Sequence, residues 1–92
     1  MKKSIVVSDM SKCFYCGNPN VEVHHIFFGT ANRKLADKYK LVLPLCAKHH
    51  RGSNGPHQNR EIDIYYKKLG QAAFELKYSR EKFMQLFGKN WL

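Results

Sequence analysis

The chain of 92 residues is predicted to form one small α+β domain. Two short apolar segments come first, at residues 21–28 and 41–43, and the first begins with the alternation of a half-buried strand. From residue 57 onward, apolar residues recur at steps of three and four, which predicts a longer helix. The apolar positions expected on its buried face are Ile62, Tyr65, Leu69, Ala72, Ala73 and Leu76.

Turn and cap residues divide the remainder of the chain into shorter elements. Pro44 lacks an N–H, so we expect it at the end or the edge of the second strand. Residues 45–50 can begin a helix, which the Gly- and Pro-containing residues 52–56 interrupt. Ser79 can cap a last short helix, and Gly88 can end it.

The single domain, residues 1–92, is expected to have three parts. Residues 1–12 are expected to form a loosely attached basic arm with a short strand at residues 5–7. Residues 13–57 form the part that carries chemistry, because every Cys and His of the chain lies there. Residues 58–92 are expected to be helical, with an apolar C-terminal tail that docks on the domain.

The charge balance favours an anionic partner, most plausibly nucleic acid. Sixteen Lys and Arg residues against seven Asp and Glu residues give a formal net charge of +9. A solvated basic surface with no such partner is the alternative. No apolar run approaches the roughly 20 residues of a membrane span, and three Cys residues are too few and odd in number for a secreted disulfide scaffold. We therefore expect an intracellular, cytoplasmic protein with reduced thiols and no membrane partner.

Two residue pairs have the spacing of a structural zinc site. C-x2-C and C-x2-H place two ligands of one short turn on the same metal ion, and four N/S donors suit tetrahedral zinc. The alternative is reduced cysteines buried as small apolar residues. At the fourth position, His50 can replace His49. The expected set is Cys13, Cys16, Cys46 and His49.

Four further histidines fall in the same part of the chain. Adjacent residues on a strand point to opposite faces, so only one member of His24–His25 faces a given site. Consecutive helical residues diverge by about 100°, so His50 can point toward His24 while His49 binds zinc. With His57 added, a second metal site with imidazole ligands and open positions becomes possible. Surface or hydrogen-bonded core histidines are the alternative.

The order Cys-x2-Cys, Val-His-His-Ile and Leu-Cys-x2-His-His resembles the HNH endonucleases, also called His-Me finger or ββα-metal nucleases. The resemblance covers roughly residues 13–57, and the sequence is similar in particular to small phage-borne HNH proteins and the phage RecA-dependent nuclease family. The motif run 43–52, LPLCAKHHRG, and the later Gly-Pro-His of residues 55–57 are similar to that branch. The resemblance implies a ββα-metal core with a structural zinc knuckle, followed by C-terminal helices. It also implies a phage or prophage origin.

The resemblance assigns roles to the remaining histidines. His25 matches the general base that activates water, and the catalytic divalent ion is expected on His24, His50 and His57. The family's usual Asn before the third Cys is replaced here by Leu41, so a backbone carbonyl or Asn32 is expected to orient His25. One catalytic ion, Mg²⁺, Mn²⁺, Ni²⁺ or Zn²⁺, is expected beside the structural zinc. Imidazole donors favour Mn²⁺, Ni²⁺, Co²⁺ or Zn²⁺ over Mg²⁺, which prefers oxygen.

Basic residues near these motifs are candidates for contacts to the nucleic-acid backbone, with low sequence specificity. Four of them lie in the strand connection 30–40, which has room for a helical turn. The candidates are Arg33, Lys34, Lys38, Lys40, Lys48, Arg51 and Arg60. Aromatic side chains are expected to pack inside the protein rather than stack on bases: Phe14, Tyr15, Tyr65, Tyr66, Phe74, Phe83 and Phe87.

The leading hypothesis is a metal-dependent endonuclease that hydrolyses DNA phosphodiester bonds, by nicking or by double-strand cleavage. The alternative is a zinc-stapled module of a phage complex that binds nucleic acid without cutting it. A zinc-stabilised protein adaptor is a third option, which the net charge of +9 disfavours. The sequence does not distinguish a DNA substrate from an RNA substrate. A recombination or packaging protein of a phage or its host is a further candidate partner.

Overall fold

A computed structural model describes residues 3–92, so Met1 and Lys2 of the expected basic arm lie outside the described residues. Two strands and four helices follow one another, and the α+β class is confirmed. The elements are β1 (Glu22–His25), α1 (Thr30–Lys38), β2 (Val42–Leu45), α2 (Ala47–Arg51), α3 (Arg60–Lys77) and α4 (Arg80–Phe87). None of the helices in this part of the chain is long and apolar enough to cross a membrane.

Strands β1 and β2 form an antiparallel pair in which His24 lies opposite Leu43 and Val23 lies opposite Pro44. The first strand is shorter than the predicted 21–28, because the chain bends after β1 and buries Ile26 and Phe27 in the core. Pro44 lies inside β2 rather than at its end. Its carbonyl accepts the Phe14 N–H at 2.7 Å, so its missing N–H also faces away from β1 and costs the pair no bond.

The strand connection is a full helix of nine residues, α1, rather than a single helical turn. Ala36 is the fully buried residue of α1 and faces the core. The opposite side of α1 carries exposed charged residues, and the basic candidates Arg33, Lys34 and Lys38 lie there. This helix therefore places cations and Asp37 next to β1.

Helix α3 buries a different face from the one that the apolar pattern predicts. Tyr65 is 55% exposed and Leu76 is 92% exposed, although both were expected inside. At Gly70, an added Cβ would lie 3.1 Å from a methyl group of Ile26 and 3.2 Å from the Phe27 ring, so glycine permits the close approach. The prediction holds in part, since Ile62 and Leu69 pack half-buried against the core, but Ala72 is also exposed and the buried face includes polar side chains. The buried residues are Asp63, Tyr66, Lys67, Gly70, Gln71 and Phe74.

The helix ends follow the predicted caps in most places. The Ser79 side chain accepts the Lys82 N–H at 3.0 Å, and Gly88 ends α4 in the left-handed conformation with φ 74°. Behind α4, the C-terminal tail docks as predicted, since the Trp91 N–H donates to the fully buried Gln71 at 2.7 Å. Leu92 remains 48% exposed.

The N-terminal segment is packed rather than loose in its described part. Side chains of residues 5–7 pack against the core, and Met10 is buried. The Ile5 N–H donates to the Lys40 carbonyl at 3.0 Å. Residues 3–12 contain no strand, so the predicted strand at 5–7 was wrong.

Helix α3 begins at Arg60 because Asn59 caps it: the Asn59 side chain accepts the Glu61 and Ile62 N–H groups at 3.1 and 3.3 Å. We expect Asn59→Ala to lower the free energy of unfolding by about 1 kcal/mol, a fall in Tm of roughly 4–8 °C for a domain of this size. Thermal unfolding of the purified protein measures the change. Ser53→Ala, in the exposed turn before it, is the control and should shift Tm by less than half as much. Equal Tm values for both variants would show that the cap contributes nothing.

Candidate metal centres and the cavity beside them

Four predicted zinc ligands meet at one point. Cys13 and Cys16 come from the turn before β1, whereas Cys46 and His49 come from the start of α2. Their ligand atoms lie within 4.8 Å of one another, so the group can bind a metal ion. The Cys16 and Cys46 sulfurs are 3.7 Å apart, and the Cys46 sulfur is 3.3 Å from the His49 Nδ1. A tetrahedral zinc with Zn–S bonds of about 2.3 Å separates its sulfurs by roughly 3.8 Å, which matches.

The local structure explains why the Cys13 thiol can act as a ligand. Burial opposes ionisation of Cys13, but the backbone N–H groups of Cys46, Cys16 and Tyr15 hold its pKa at about 6. The Tyr15 ring stacks on the His49 ring with centroids 4.2 Å apart, and this contact holds the imidazole in place. All three cysteines are free thiols. Of the two adjacent histidines, the structure groups His49 with the cysteines and turns His50 away from them.

His24, His50 and His57 form a second group, with ligand nitrogens within 4.8 Å of one another. Strand β1, helix α2 and the loop before α3 supply one imidazole each. The Nε2 atoms of His50 and His57 are 3.1 Å apart. The three ring centroids are 4.9 to 5.2 Å apart, so the rings converge on one point as the sequence predicts.

Of the second group, His24 has the surroundings that best fit a bound cation. Its side chain is fully buried, and neither ring nitrogen has a hydrogen-bond partner among the described residues. Burial, with His50 and His57 nearby, lowers its pKa to about 3, so the ring is neutral at pH 7. A neutral buried imidazole offers a lone pair, and leaving that nitrogen unpaired is unfavourable. The donor set therefore fits a divalent transition-metal ion.

Glu22 orients one imidazole of this group. Its Oε1 is 2.7 Å from the His50 Nδ1, and its carboxylate also accepts two N–H groups of Arg51, at 2.7 and 3.1 Å. The hydrogen bond from His50, together with Arg51, holds the pKa of Glu22 below its usual range. Because Nδ1 of His50 donates to a carboxylate, its Nε2 is free to bind metal, as in many metal sites.

His25 faces away from His24, as the alternation along β1 predicts. Its side chain is 11% exposed, and its Nε2 lies 3.0 Å from the Asp37 Oδ1. The sequence analysis expected a backbone carbonyl or Asn32 to orient His25. In the described residues, the side-chain partner of His25 is instead the carboxylate of Asp37 on α1. The sequence gives no signal for Asp37, because the helix that carries it was expected to be a connection. With Nε2–H donated to Asp37, Nδ1 is the nitrogen that can accept a proton.

A cavity of about 180 Å³ joins these groups, with His25, His50 and His57 in its wall. Arg33 lines the same cavity from α1, and Val23 and Phe28 complete it. Of the predicted phosphate-binding residues, Arg33 is therefore the one brought to the histidines.

The other basic candidates lie farther from this cavity. Lys40 lines a neighbouring cavity of about 200 Å³ with Lys3, Asp37 and Val42. Arg51 is held by Glu22. The remaining candidates, Lys34, Lys38, Lys48 and Arg60, are exposed on α1, α2 and α3.

Some of the aromatic residues that were expected inside the protein are buried, and others are exposed. Tyr66, Phe74 and Phe83 are buried as expected, and Phe87 packs against them half-buried. Phe14 and Tyr15 are 41% and 57% exposed, although each keeps one ring contact, Phe14 with Tyr66 and Tyr15 with His49. They were expected to pack inside and do so only in part, because both sit on the surface of the zinc turn.

No protein-family model, curated protein or solved structure matches this chain. The resemblance to HNH endonucleases therefore rests on the motif residues alone.

Proposed function

We propose that this chain is a metal-dependent endonuclease of the HNH type, which hydrolyses DNA phosphodiester bonds. One observation carries the proposal: His25, which is paired with a carboxylate, shares a cavity wall with Arg33 and with His50 and His57, two of the three grouped imidazoles. A binding module without catalysis has no need for both. The antiparallel pair of β1 and β2, with α1 between them in the chain and α2 directly after β2, also supports a ββα-metal core, as does the cysteine–histidine group that joins the turn before β1 to α2.

In this proposal His25 is the general base. Its Nδ1 accepts a proton from the attacking water, since imidazole is the side chain best suited to proton transfer at neutral pH. The Asp37 carboxylate, 3.0 Å from Nε2, fixes the tautomer that leaves Nδ1 unprotonated and stabilises the imidazolium that forms. In other hydrolases too, a carboxylate fixes the tautomer of a histidine base and stabilises its imidazolium form.

The group of three imidazoles is the proposed binding site for the catalytic metal ion. His24, His50 and His57 would hold one divalent ion, which when bound supplies positive charge to the scissile phosphate and the leaving oxygen. Three neutral nitrogen donors favour Mn²⁺, Ni²⁺, Co²⁺ or Zn²⁺ over Mg²⁺. The buried His24 and the carboxylate-bound His50 define the position of the ion, while the exposed His57 completes the set.

The exposed cations provide the substrate contacts. Arg33, in the cavity wall, is placed to bind the scissile phosphate, and the cations of α1 extend the basic surface along the flanking backbone. These contacts address phosphates rather than base edges, so the proposal includes weak sequence preference and binding that falls as salt rises.

Cleavage of supercoiled plasmid by the zinc-loaded protein tests the proposal. We expect nicked or linear product with Mn²⁺ or Ni²⁺ and none with EDTA. His57→Ala should lower the rate at least tenfold at limiting metal, with partial recovery at high metal, because the exposed His57 binds the ion without supporting the core. Salt-sensitive DNA binding without cleavage under any of these metals would favour the zinc-stapled binding module instead.

A further inference from the structure

Helix α3 carries a buried ion pair close to the imidazole group. Asp63 and Lys67 are 7% and 8% exposed, and the Asp63 Oδ2 accepts the Lys67 ammonium at 2.7 Å. The ammonium lies between two rings, 4.2 Å from the Phe28 centroid and 4.9 Å from the Trp91 centroid. The spacing of four residues is that of a helical ion pair, but the apolar pattern of α3 does not place the pair inside the protein.

The pair is adjacent to the metal-binding histidines. The Phe28 ring that contacts Lys67 has its centroid 5.1 Å from the His57 ring and 6.2 Å from the His24 ring. The Asp63 N–H donates to the Asn59 carbonyl, and the Asn59 N–H donates to Gly55, so His57 lies in the turn directly before Asp63. Burial, with His50 nearby, lowers the pKa of His57, and the negative charge of Asp63 is close enough to oppose this in part.

One oxygen of the Asp63 carboxylate has no hydrogen-bond partner within residues 3–92. Oδ1 is buried from solvent, and no hydrogen-bond donor contacts it among the described residues. A buried carboxylate oxygen without a donor is unfavourable and needs an explanation. His57 has a donor to offer, because its Nε2 faces His50 and its Nδ1 is therefore the nitrogen left for a carboxylate.

We propose that Asp63 is the positioning residue for His57: its Oδ1 accepts the His57 Nδ1–H when the imidazole group holds a metal ion. Glu22 already makes this kind of bond to His50. Lys67 holds the other carboxylate oxygen, and Trp91 covers Lys67, so the C-terminal tail secures the arrangement. The inference rests on the imidazole metal site of the proposed function, but not on DNA cleavage.

Metal binding and histidine NMR test the inference without an activity assay. Ni²⁺ binding to zinc-loaded protein is measured by calorimetry for wild type, Asp63→Asn and the matched acid-to-amide control Glu75→Gln on the same helix. Loss of a carboxylate that orients a metal-binding histidine weakens metal binding by about 10–100-fold. We expect this loss for Asp63→Asn and none for Glu75→Gln, because an amide cannot accept from both Lys67 and His57.

The tautomer of His57 is the readout that a merely structural role would not change. With a second equivalent of Zn²⁺, ¹⁵N-labelled wild type should show a slowly exchanging Nδ1–H on His57, and Asp63→Asn should lose it. If Asp63→Asn does not fold, the double variant Asp63→Asn/Lys67→Met removes the buried charge and decides the question. An unchanged Ni²⁺ affinity and an unchanged His57 signal overturn the inference, as does a wild type that binds no second metal.

These results separate the inference from the proposed function. If wild type binds Ni²⁺ in an Asp63-dependent way but never cuts DNA, the positioning role stands and the nuclease proposal falls. If wild type cuts DNA and Asp63→Asn binds metal as wild type does, the nuclease proposal stands and the positioning role falls.

Discussion

His49→Ala should destroy the cooperative fold, whereas His50→Ala, one residue along, should leave it intact. His49 lies with three cysteines around one point, and His50 lies with His24 and His57 around another. Structural zinc contributes on the order of 10–16 kcal/mol in small zinc-binding peptides. A domain of this size has a total stability of roughly 5–15 kcal/mol. Weakening the zinc site therefore removes most of what keeps the chain folded.

The two variants form a matched pair, because each removes one imidazole from the same short helix. Zinc content by mass spectrometry, far-UV circular dichroism and thermal unfolding are the measurements. His49→Ala should lose most of its zinc and its unfolding transition, and excess Zn²⁺ should restore part of both. His50→Ala should keep one zinc and a cooperative transition, while losing the Ni²⁺ that wild type binds at its imidazoles. The opposite pattern would make His50 the fourth zinc ligand.

The four residues of the candidate zinc group could be predicted because each pair belongs to one local turn. C-x2-C and C-x2-H fix two ligand positions without any knowledge of the rest of the fold. The choice between His49 and His50 could not be made this way, since both follow Cys46 within one helical turn. Cys46 begins α2 as its cap and places the His49 Nδ1 3.3 Å from its own sulfur, which decides between them.

The buried face of α3 could not be predicted from the apolar pattern. Asp63, Lys67 and Gln71 are inside because they bond to each other or to residues of the C-terminal tail. Periodicity counts such residues as exposed, so the expected face was displaced toward Tyr65 and Leu76. The partners of Gln71 lie 19 and 20 residues along the chain and leave no mark in a local pattern, whereas the four-residue spacing of Asp63 and Lys67 is visible in the sequence but does not show that the pair is buried.

The carboxylates of the site were missed for a similar reason. Asp37 reaches His25 from a helix that was expected to be a connection with one turn, and Asp63 lies on a face that was expected to be polar. Of these three carboxylates, only Glu22 is close to the histidine motif in sequence, two residues before His24. The histidines could be predicted from their spacing, whereas the groups that orient them depend on tertiary packing.

His25→Ala should abolish plasmid cleavage while leaving both metal groups in place. General-base catalysis contributes typically 10²–10⁴-fold to a rate, so a loss of about that size is expected at neutral pH with Mn²⁺ or Ni²⁺. His25 is not a member of either metal group and faces Asp37, so zinc content and Ni²⁺ affinity should match those of wild type. Cleavage at the wild-type rate by zinc-replete His25→Ala would exclude His25 as the base.

Asp37→Asn tests the His25–Asp37 pair by changing its carboxylate, with Asn32→Ala on the same helix as the control. Asn at position 37 keeps the size of the side chain but loses the charge that fixes the His25 tautomer and stabilises the imidazolium. We expect a loss smaller than that of His25→Ala, and no loss for Asn32→Ala, since Asn32 does not orient the base. An unchanged rate for Asp37→Asn beside a dead His25→Ala would mean that His25 acts without its carboxylate. A loss at Asn32 equal to that at Asp37 would point to damage to α1 as a whole rather than to the base.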